Sequence, residues 1–244
     1  MRVLARGAAL SLAAGLALSG CQTPAEDPGP ARSTGSATET TPAPLQRAGR
    51  QLTPREIEAA LPRRPPGTKE QPAGDSGWNR STDPAECIDV LRQGRHWRSL
   101  KEHSIAKSAR AWSRTTDDLT LNSTFSLASY SRPVGRELLD SAGAALSSCA
   151  SFSVTGEDAS GSFDLRVLAE PRTATTIGEQ TFALRLTSFD SIEGRTQRIY
   201  IDYLVVRVGH NLIQVSQTSL DETRTMAGLE KSAAAILTRM GQAG

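Results

Sequence analysis

Three cysteines constrain this chain more than any other residue type, because their positions assign them two different fates. Cys21 ends the tetrapeptide Leu18-Ser19-Gly20-Cys21, behind a basic start (Arg2, Arg6) and an apolar run from Ala8 to Leu18. A positive end, an apolar core too short to span a bilayer and small residues before a cut make a secretory signal over residues 1–20. A cysteine directly after those small residues is placed for acylation: its thiol takes a diacylglycerol through a thioether and becomes the first mature residue. The competing reading is an ordinary signal followed by a chance cysteine. With Cys21 set aside, Cys87 and Cys149 are an even pair in an oxidising compartment, and a disulfide between them is expected. Closing a loop of roughly 60 residues contributes about 4 kcal/mol in the chain-entropy model. A reduced buried pair is the alternative. Metal ligation is disfavoured, since two cysteines without a histidine pattern nearby do not build a tetrahedral site.

Charge narrows the partners. The signal removes Arg2 and Arg6 from 28 basic residues and none of the 26 acidic ones, so the mature chain is close to neutral. A nucleic-acid binder needs a basic surplus to neutralise phosphates, so no nucleic acid is expected as a partner. No later stretch is apolar enough to cross a bilayer, and attachment to the cell membrane falls to the lipid on Cys21, for which a diacylglycerol suffices.

Residues 21–50 are rich in Pro, Ala, Thr, Ser and Gly with few large apolar side chains. Such a stretch cannot bury enough surface to offset its ordering entropy, and it reads as a disordered tether. The folded domain is expected over 51–244, with an entry helix and loop at 51–82 and a core at 83–242. Thr53-Pro54-Arg55-Glu56 is a capping box with proline at the first helical position, and Pro62 stops that helix. Asp83-Pro84-Ala85-Glu86 repeats the start signal for a helix that ends near Gly94.

Alternation then takes over. Leu119, Leu121, Phe125 and Leu127 alternate with polar residues, with Ser104–Ser113 as a hairpin partner across Asp117-Asp118. Pro133 opens a helix whose Val134, Leu138, Ala142, Ala145 and Cys149 form one stripe. Strands follow around Phe163–Val167, Phe182–Leu186, Arg198–Val208 and Leu212–Thr218, the third apolar on both faces and therefore central. Ser219 and Glu222 suggest another capping box, and Met226, Leu229, Ala233, Ile236 and Met240 mark an amphipathic C-terminal helix. The sum is α+β: an antiparallel sheet of about six strands, two main helices packed on it, and short N-terminal helices.

The order of elements resembles the actinobacterial sensor-domain lipoproteins. The residues that carry the likeness are the lipobox at Cys21, the entry helix Leu52–Leu61, Cys87 just after an Asp-Pro, and a helix ending in Cys149. The Ile177-Gly178-Glu179 turn, the Val206-Arg207-Val208-Gly209 hairpin and a C-terminal helix complete them. The layout, over about residues 51–242, is similar to the extracellular sensor domain of PknH-type mycobacterial kinases and to small Lpq/Lpp-type lipoproteins. The chain departs from that pattern in having no cysteines for a second disulfide and in reading Gly178-Glu179 where Gly-Asp is the family's turn. The resemblance implies binding of a ligand or partner at the cell envelope and implies no reaction and no cofactor.

The residues themselves offer little chemistry. His96, His103 and His210 fall in loops and a turn, and no nucleophile elbow, zinc-protease or phosphate-loop pattern occurs. Among acids placed in strands, Asp202 lies between Ile201 and Tyr203; facing inward, it needs a partner such as Arg166, Arg185 or Arg207. Trp112 and Tyr130 are the candidate walls of an apolar ligand-binding groove, against the alternative that they pack beneath a helix. The expected protein is a non-enzymatic, lipid-anchored module on the extracytoplasmic face of the cell membrane. It binds an envelope ligand or protein. The alternatives are a carboxylate-dependent envelope hydrolase and a purely structural accessory lipoprotein.

Overall fold

Nine strands, all antiparallel to their neighbours, form one sheet among the described residues, in the order β1-β3-β4-β9-β8-β7-β6-β5-β2. The computed structural model describes residues 44–73, 80–92, 94–116, 119–158, 161–192 and 195–242. The signal, Cys21, most of the tether and the Asp117-Asp118 turn lie outside them. The strands are β1 (Lys69–Gln71), β2 (Arg80–Asp83), β3 (Ser104–Thr116), β4 (Leu119–Tyr130), β5 (Ser151–Asp158), β6 (Gly161–Pro171), β7 (Gln180–Ile192), β8 (Arg195–Val208) and β9 (Asn211–Ser219). The helices are α1 (Pro44–Gly49), α2 (Pro54–Ala60), α3 (Arg95–Lys101), α4 (Glu137–Ser148) and α5 (Ala227–Gln242), with a 3-10 turn at Ala85–Asp89.

The α+β class stands, but the expected count of about six strands is corrected to nine, and the expected two main helices to five helices among the described residues. The additions are β1, β2 and β5. The two outermost, β1 and β2, read Lys-Glu-Gln and Arg-Ser-Thr-Asp and have no buried residue. Edge strands of this kind are held by backbone pairing, with β1 on Ser113–Ala111 and β2 on Gly156–Ser153, so they leave no hydrophobic period to read. In β5 only Phe152 and Val154 are buried, too few to establish alternation.

Strand β8 occupies the middle of the sheet, and Leu204, Val205, Val206 and Val208 are all at most 1 % exposed. Alternation sends Leu204, Val206 and Val208 to one face and Val205 to the other, so both faces must be roofed. Helices α1, α2 and α5 roof the first. Leu229, Ala233, Ile236 and Met240 of α5 join Ile57 and Ala60 of α2 and Phe125, Leu127, Ile213 and Val215 of the sheet in one cluster. Helices α3 and α4 lie over the second face, which holds two separate clusters, one around Cys87 and Cys149 and one around Leu138, Leu139 and Tyr130.

Helix starts follow local chemistry. At α2 the capping box forms as the sequence specifies: Glu56 N–H donates to Thr53 Oγ1 at 3.3 Å, and Thr53 N–H donates to Glu56 Oε2 at 2.8 Å. Helix α4 begins at Glu137, four residues after Pro133, because Val134 is committed elsewhere: its N–H donates to Gly209 O at 2.8 Å and its carbonyl accepts from Arg207. The capping box expected at Ser219 and Glu222 does not form. Arg185 holds the carbonyls of Glu222 and Arg224, so the chain there turns without becoming helical and α5 starts only at Ala227.

The expected tether also ends earlier than residue 50. Residues 44–49 are helical, Ala48 is buried, and Asn211 Nδ2 donates to the carbonyls of Ala48 and Arg50, both at 2.7 Å. A backbone held by a distant side chain needs little apolar surface of its own, which is why this helix has no hydrophobic signature.

Candidate functional site

Three arrangements of polar or reactive groups stand out on this scaffold. The first is the expected disulfide. Cys87 leaves the 3-10 turn and Cys149 caps α4; their Cα atoms are 5.5 Å apart, the S–S distance is 2.08 Å, and both residues are fully buried. The bond clips the 3-10 turn to α4 above Phe152, Val154, Val167 and Leu184.

The second is a buried ion pair. Asp202 and Arg185 face each other across β8 and β7 and are each 3 % exposed. Arg185 Nε and Nη2 donate to Asp202 Oδ1 and Oδ2, both at 2.8 Å, in a bidentate fork. The guanidinium also donates to the carbonyls of Glu222 and Arg224 and lies 5.3 Å from the centre of the Tyr200 ring, whose hydroxyl donates to Glu222 Oε2 at 3.1 Å. The hydrogen bonds to Asp202 outweigh desolvation and raise the pKa of Arg185 above its usual value. Of the three arginines open to Asp202 on sequence grounds, Arg185 is the partner, and both carboxylate oxygens are occupied.

The third is the junction where the two family turns meet. Gly178 has φ +71°, and a Cβ there would come within 2.5 Å of Val208 and 2.9 Å of the Arg207 carbonyl, so only glycine fits the approach. That contact carries Glu179 onto the β8–β9 turn. Its N–H donates to Arg207 O at 3.0 Å, and its carboxylate pairs with the Arg207 guanidinium and accepts from Gly209 N–H at 3.2 Å. Arg207 continues the chain through Gln180 to Asp140 on α4. Here Glu179 is a clamp between segments.

The groove expected from Trp112 and Tyr130 is not a single site. Trp112 is 7 % exposed and stacks on Phe125 at 4.7 Å, on the α5 face; Tyr130 is 8 % exposed and belongs to the cluster beneath α4, on the opposite face. Each ring is packed within its own cluster, so neither lines an opening. His210 lies in the β8–β9 turn, with Nδ1 2.9 Å from Tyr130 O, whereas His96 lies in α3, where the sequence indicated a loop.

What the structure offers instead is a recess between the 3-10 segment and the sheet. Val90, Leu91, Leu184, Leu186 and Val205 give it an apolar floor and wall, and Arg80, Arg92 and Tyr203 complete the lining. The Arg92 guanidinium sits 5.1 Å from the Tyr203 ring and 5.8 Å from Trp97, and Arg92 itself has φ +60°. The recess holds about 20 Å³, the space of one water molecule. A larger, shallow groove of about 490 Å³ runs along the β2 edge between Arg80, Ser81, Thr155, Glu157 and Phe163. Sequence reasoning missed the recess because Leu184, Tyr203 and Val205 read only as alternating strand residues; the one signal available was Arg92 beside the apolar Val90-Leu91.

Together these features define a disulfide-stapled α+β domain. One solved structure it is similar to is the extracellular domain of PknH from Mycobacterium tuberculosis, at 13 % identity and a TM-score of 0.55, covering 80 % of this chain and 99 % of that one. An Rv0999 ortholog from Mycobacterium smegmatis is matched at 10 % identity and a TM-score of 0.33, over 81 % of this chain and 96 % of that one. No protein-family model matches the chain, and neither does any curated protein. The likeness to the PknH domain is one of fold.

Proposed function

We propose that this is a lipoprotein anchored through Cys21 on the extracytoplasmic face of the membrane, whose domain binds an envelope ligand or protein without catalysis. The observation that carries the binding reading is the recess under the 3-10 segment. It is apolar inside, has cationic groups at its lining, and is roofed by a short turn pinned at one point by the disulfide. Such a roof lifts more easily than a long helix, and lifting it exposes Leu184, Leu186, Val205 and Tyr203 together. The fold shared with an extracellular kinase domain supports the extracytoplasmic placement. Asp202, the acid best placed by sequence for catalysis, is buried and held at both oxygens by Arg185, the geometry of a structural ion pair.

The test is a thermal-shift screen of the mature chain against envelope lipids, wall fragments and small metabolites, followed by calorimetry. A ligand of the native state raises the melting temperature, and burial of the apolar floor gives a negative heat-capacity change. Tyr203→Ala is expected to weaken a hit about tenfold or more while the protein stays folded, in line with the loss of an aromatic anchor. Turnover of a substrate that is lost in Asp202→Asn without unfolding would sink the non-enzymatic reading.

A further inference from the structure

The described residues begin with α1, which runs to one end of the sheet. Helix α1 reaches that end at Gly49, whose carbonyl accepts from His210 N–H at 2.8 Å in the β8–β9 turn. Ser131, just after β4, donates through its N–H to His103 O at 2.9 Å and accepts from Gln51 Nε2 at 3.0 Å. Arg132 reaches Ser99 of α3 at 3.0 Å. The end of α1, the start of β3, the end of β4 and α3 are therefore stitched into one surface.

Helix α3 presents Arg95, Arg98 and Lys101 to solvent at spacings of three, with Arg132 bonded to Ser99 and Arg47 exposed on α1; Glu102 adjoins the stripe at one end, and the Asp89 carboxylate lies against Gly94 at the other. In a mature chain near neutrality this is a segregation of charge. Of the three large apolar side chains exposed among the described residues, Leu45 (50 %) lies on α1, one turn before Gly49, and Ile105 (47 %) lies at the start of β3. Leu45 is four residues before Gly49, about 6 Å along the helix, and Ile105 follows Ser104, which pairs with Tyr130.

We propose that this end of the domain docks on a bilayer carrying anionic headgroups. The basic side chains meet lipid phosphates, and Leu45 and Ile105 enter the boundary between headgroups and acyl chains. Basic groups near an anionic surface are attracted within a Debye length, and exposed apolar residues flanked by Arg and Lys are the composition of interfacial attachment. The inference rests on the reading of Cys21 as a lipid anchor for its geometry. Only residues 22–43 separate Cys21 from α1 in the sequence, so a lipid on Cys21 tethers the domain by the end that carries α1 and raises the effective concentration of that end at the membrane.

The experiment is co-sedimentation of the unlipidated mature chain carrying Cys21→Ala with vesicles of phosphatidylglycerol and phosphatidylcholine, and with phosphatidylcholine alone. Binding is expected only to the anionic vesicles, with weakening by salt. It should fall about tenfold or more in Arg95→Glu/Lys101→Glu/Arg132→Glu and hold steady in Arg114→Glu/Arg198→Glu at the far end of the sheet. No sedimentation with anionic vesicles at low salt overturns the proposal, as does equal loss from the far-end variant. Binding to soluble polyphosphate without binding to vesicles overturns the membrane as the occupant. Should the triple variant fail to fold by circular dichroism, Leu45→Ser/Ile105→Ser supplies the reading: a severalfold loss supports docking, and unchanged binding refutes it. Absence of acyl label on Cys21 would remove the anchor alone and leave the vesicle result to stand by itself.

Discussion

On the α5 face a single cluster runs without a break from α1 and α2 across β4, β9 and β8 to α5, and its largest members, among them Leu204, Ile213, Leu229 and Ile236, are fully buried. On the α4 face the apolar residues divide into two clusters, roofed by a 12-residue helix, a seven-residue helix and a 3-10 turn. The first roof is held by contact area, each fully buried large apolar side chain contributing about 1.5–3 kcal/mol. The second has less area to spend and is tied by a covalent bond at Cys87–Cys149. The difference teaches where the domain can open. A roof held by a bond at one point and by small clusters elsewhere moves in parts, and the recess lies on that side.

The largest effect is expected on the strong face. Arg185→Leu leaves Asp202 charged and buried without its partner and should cost about 3–5 kcal/mol in chemical denaturation. Arg185→Leu/Asp202→Leu should recover most of that loss, since it removes both buried charges at similar volume. A double variant no more stable than the single one would show that the pair itself, and not the orphaned charge, sets the stability of this face.

Next comes the staple. Cys87→Ala/Cys149→Ala should cost about 2–4 kcal/mol, and the cost should be local. Amide exchange should speed up in the 3-10 turn, α4 and β5 while the central strands β8 and β9 keep their protection. Uniform acceleration over both faces would break the contrast drawn between them.

The smallest effect concerns α2. Hydrogen bonding to Arg50, and then to Thr53, lowers the Glu56 pKa from about 4.5 to about 2. A depressed carboxyl pKa stabilises the fold above the unfolded value, and that contribution disappears as pH falls from about 4.5 through about 2. Because Arg50 is more than a third exposed, solvent screening keeps the ion pair's share small. Glu56→Gln should therefore cost about 1 kcal/mol at neutral pH, the scale of one helix cap, and should remove part of the acid sensitivity. An unchanged acid melting curve in that variant would place the titration elsewhere.

Much of this was legible where burial is periodic. The stripe from Met226 to Met240, the double-sided Leu204–Val208 segment and the box at Thr53 and Glu56 all correspond to structure, since each is local physics written in adjacent residues. Illegible parts are of two kinds. Elements fixed by backbone pairing or by a remote side chain, such as β1, β2 and α1, carry no pattern of their own. Face assignments fail where both faces are covered: Trp112 shares the buried face with Phe125, and Tyr130 is covered by the loop and helix that follow it. Asp202 is intermediate. Its need for an inward partner was readable, but the choice of Arg185 depended on the register between β7 and β8.

Asn211 has a consequence for the order of assembly. It holds Ala48 and Arg50 from 163 and 161 residues downstream, and Arg239 holds Ala60 across a separation of 179. The seats of α1 and α2 are thus made by the last fifth of the polypeptide. A chain made from its N-terminus releases these helices first and supplies their docking sites last. Closing such long loops is slow. During that interval Leu52, Ile57 and Leu61, all buried in the finished fold, lack their final cover, so this end of the domain is where a folding intermediate is open longest to proteases and to chaperones.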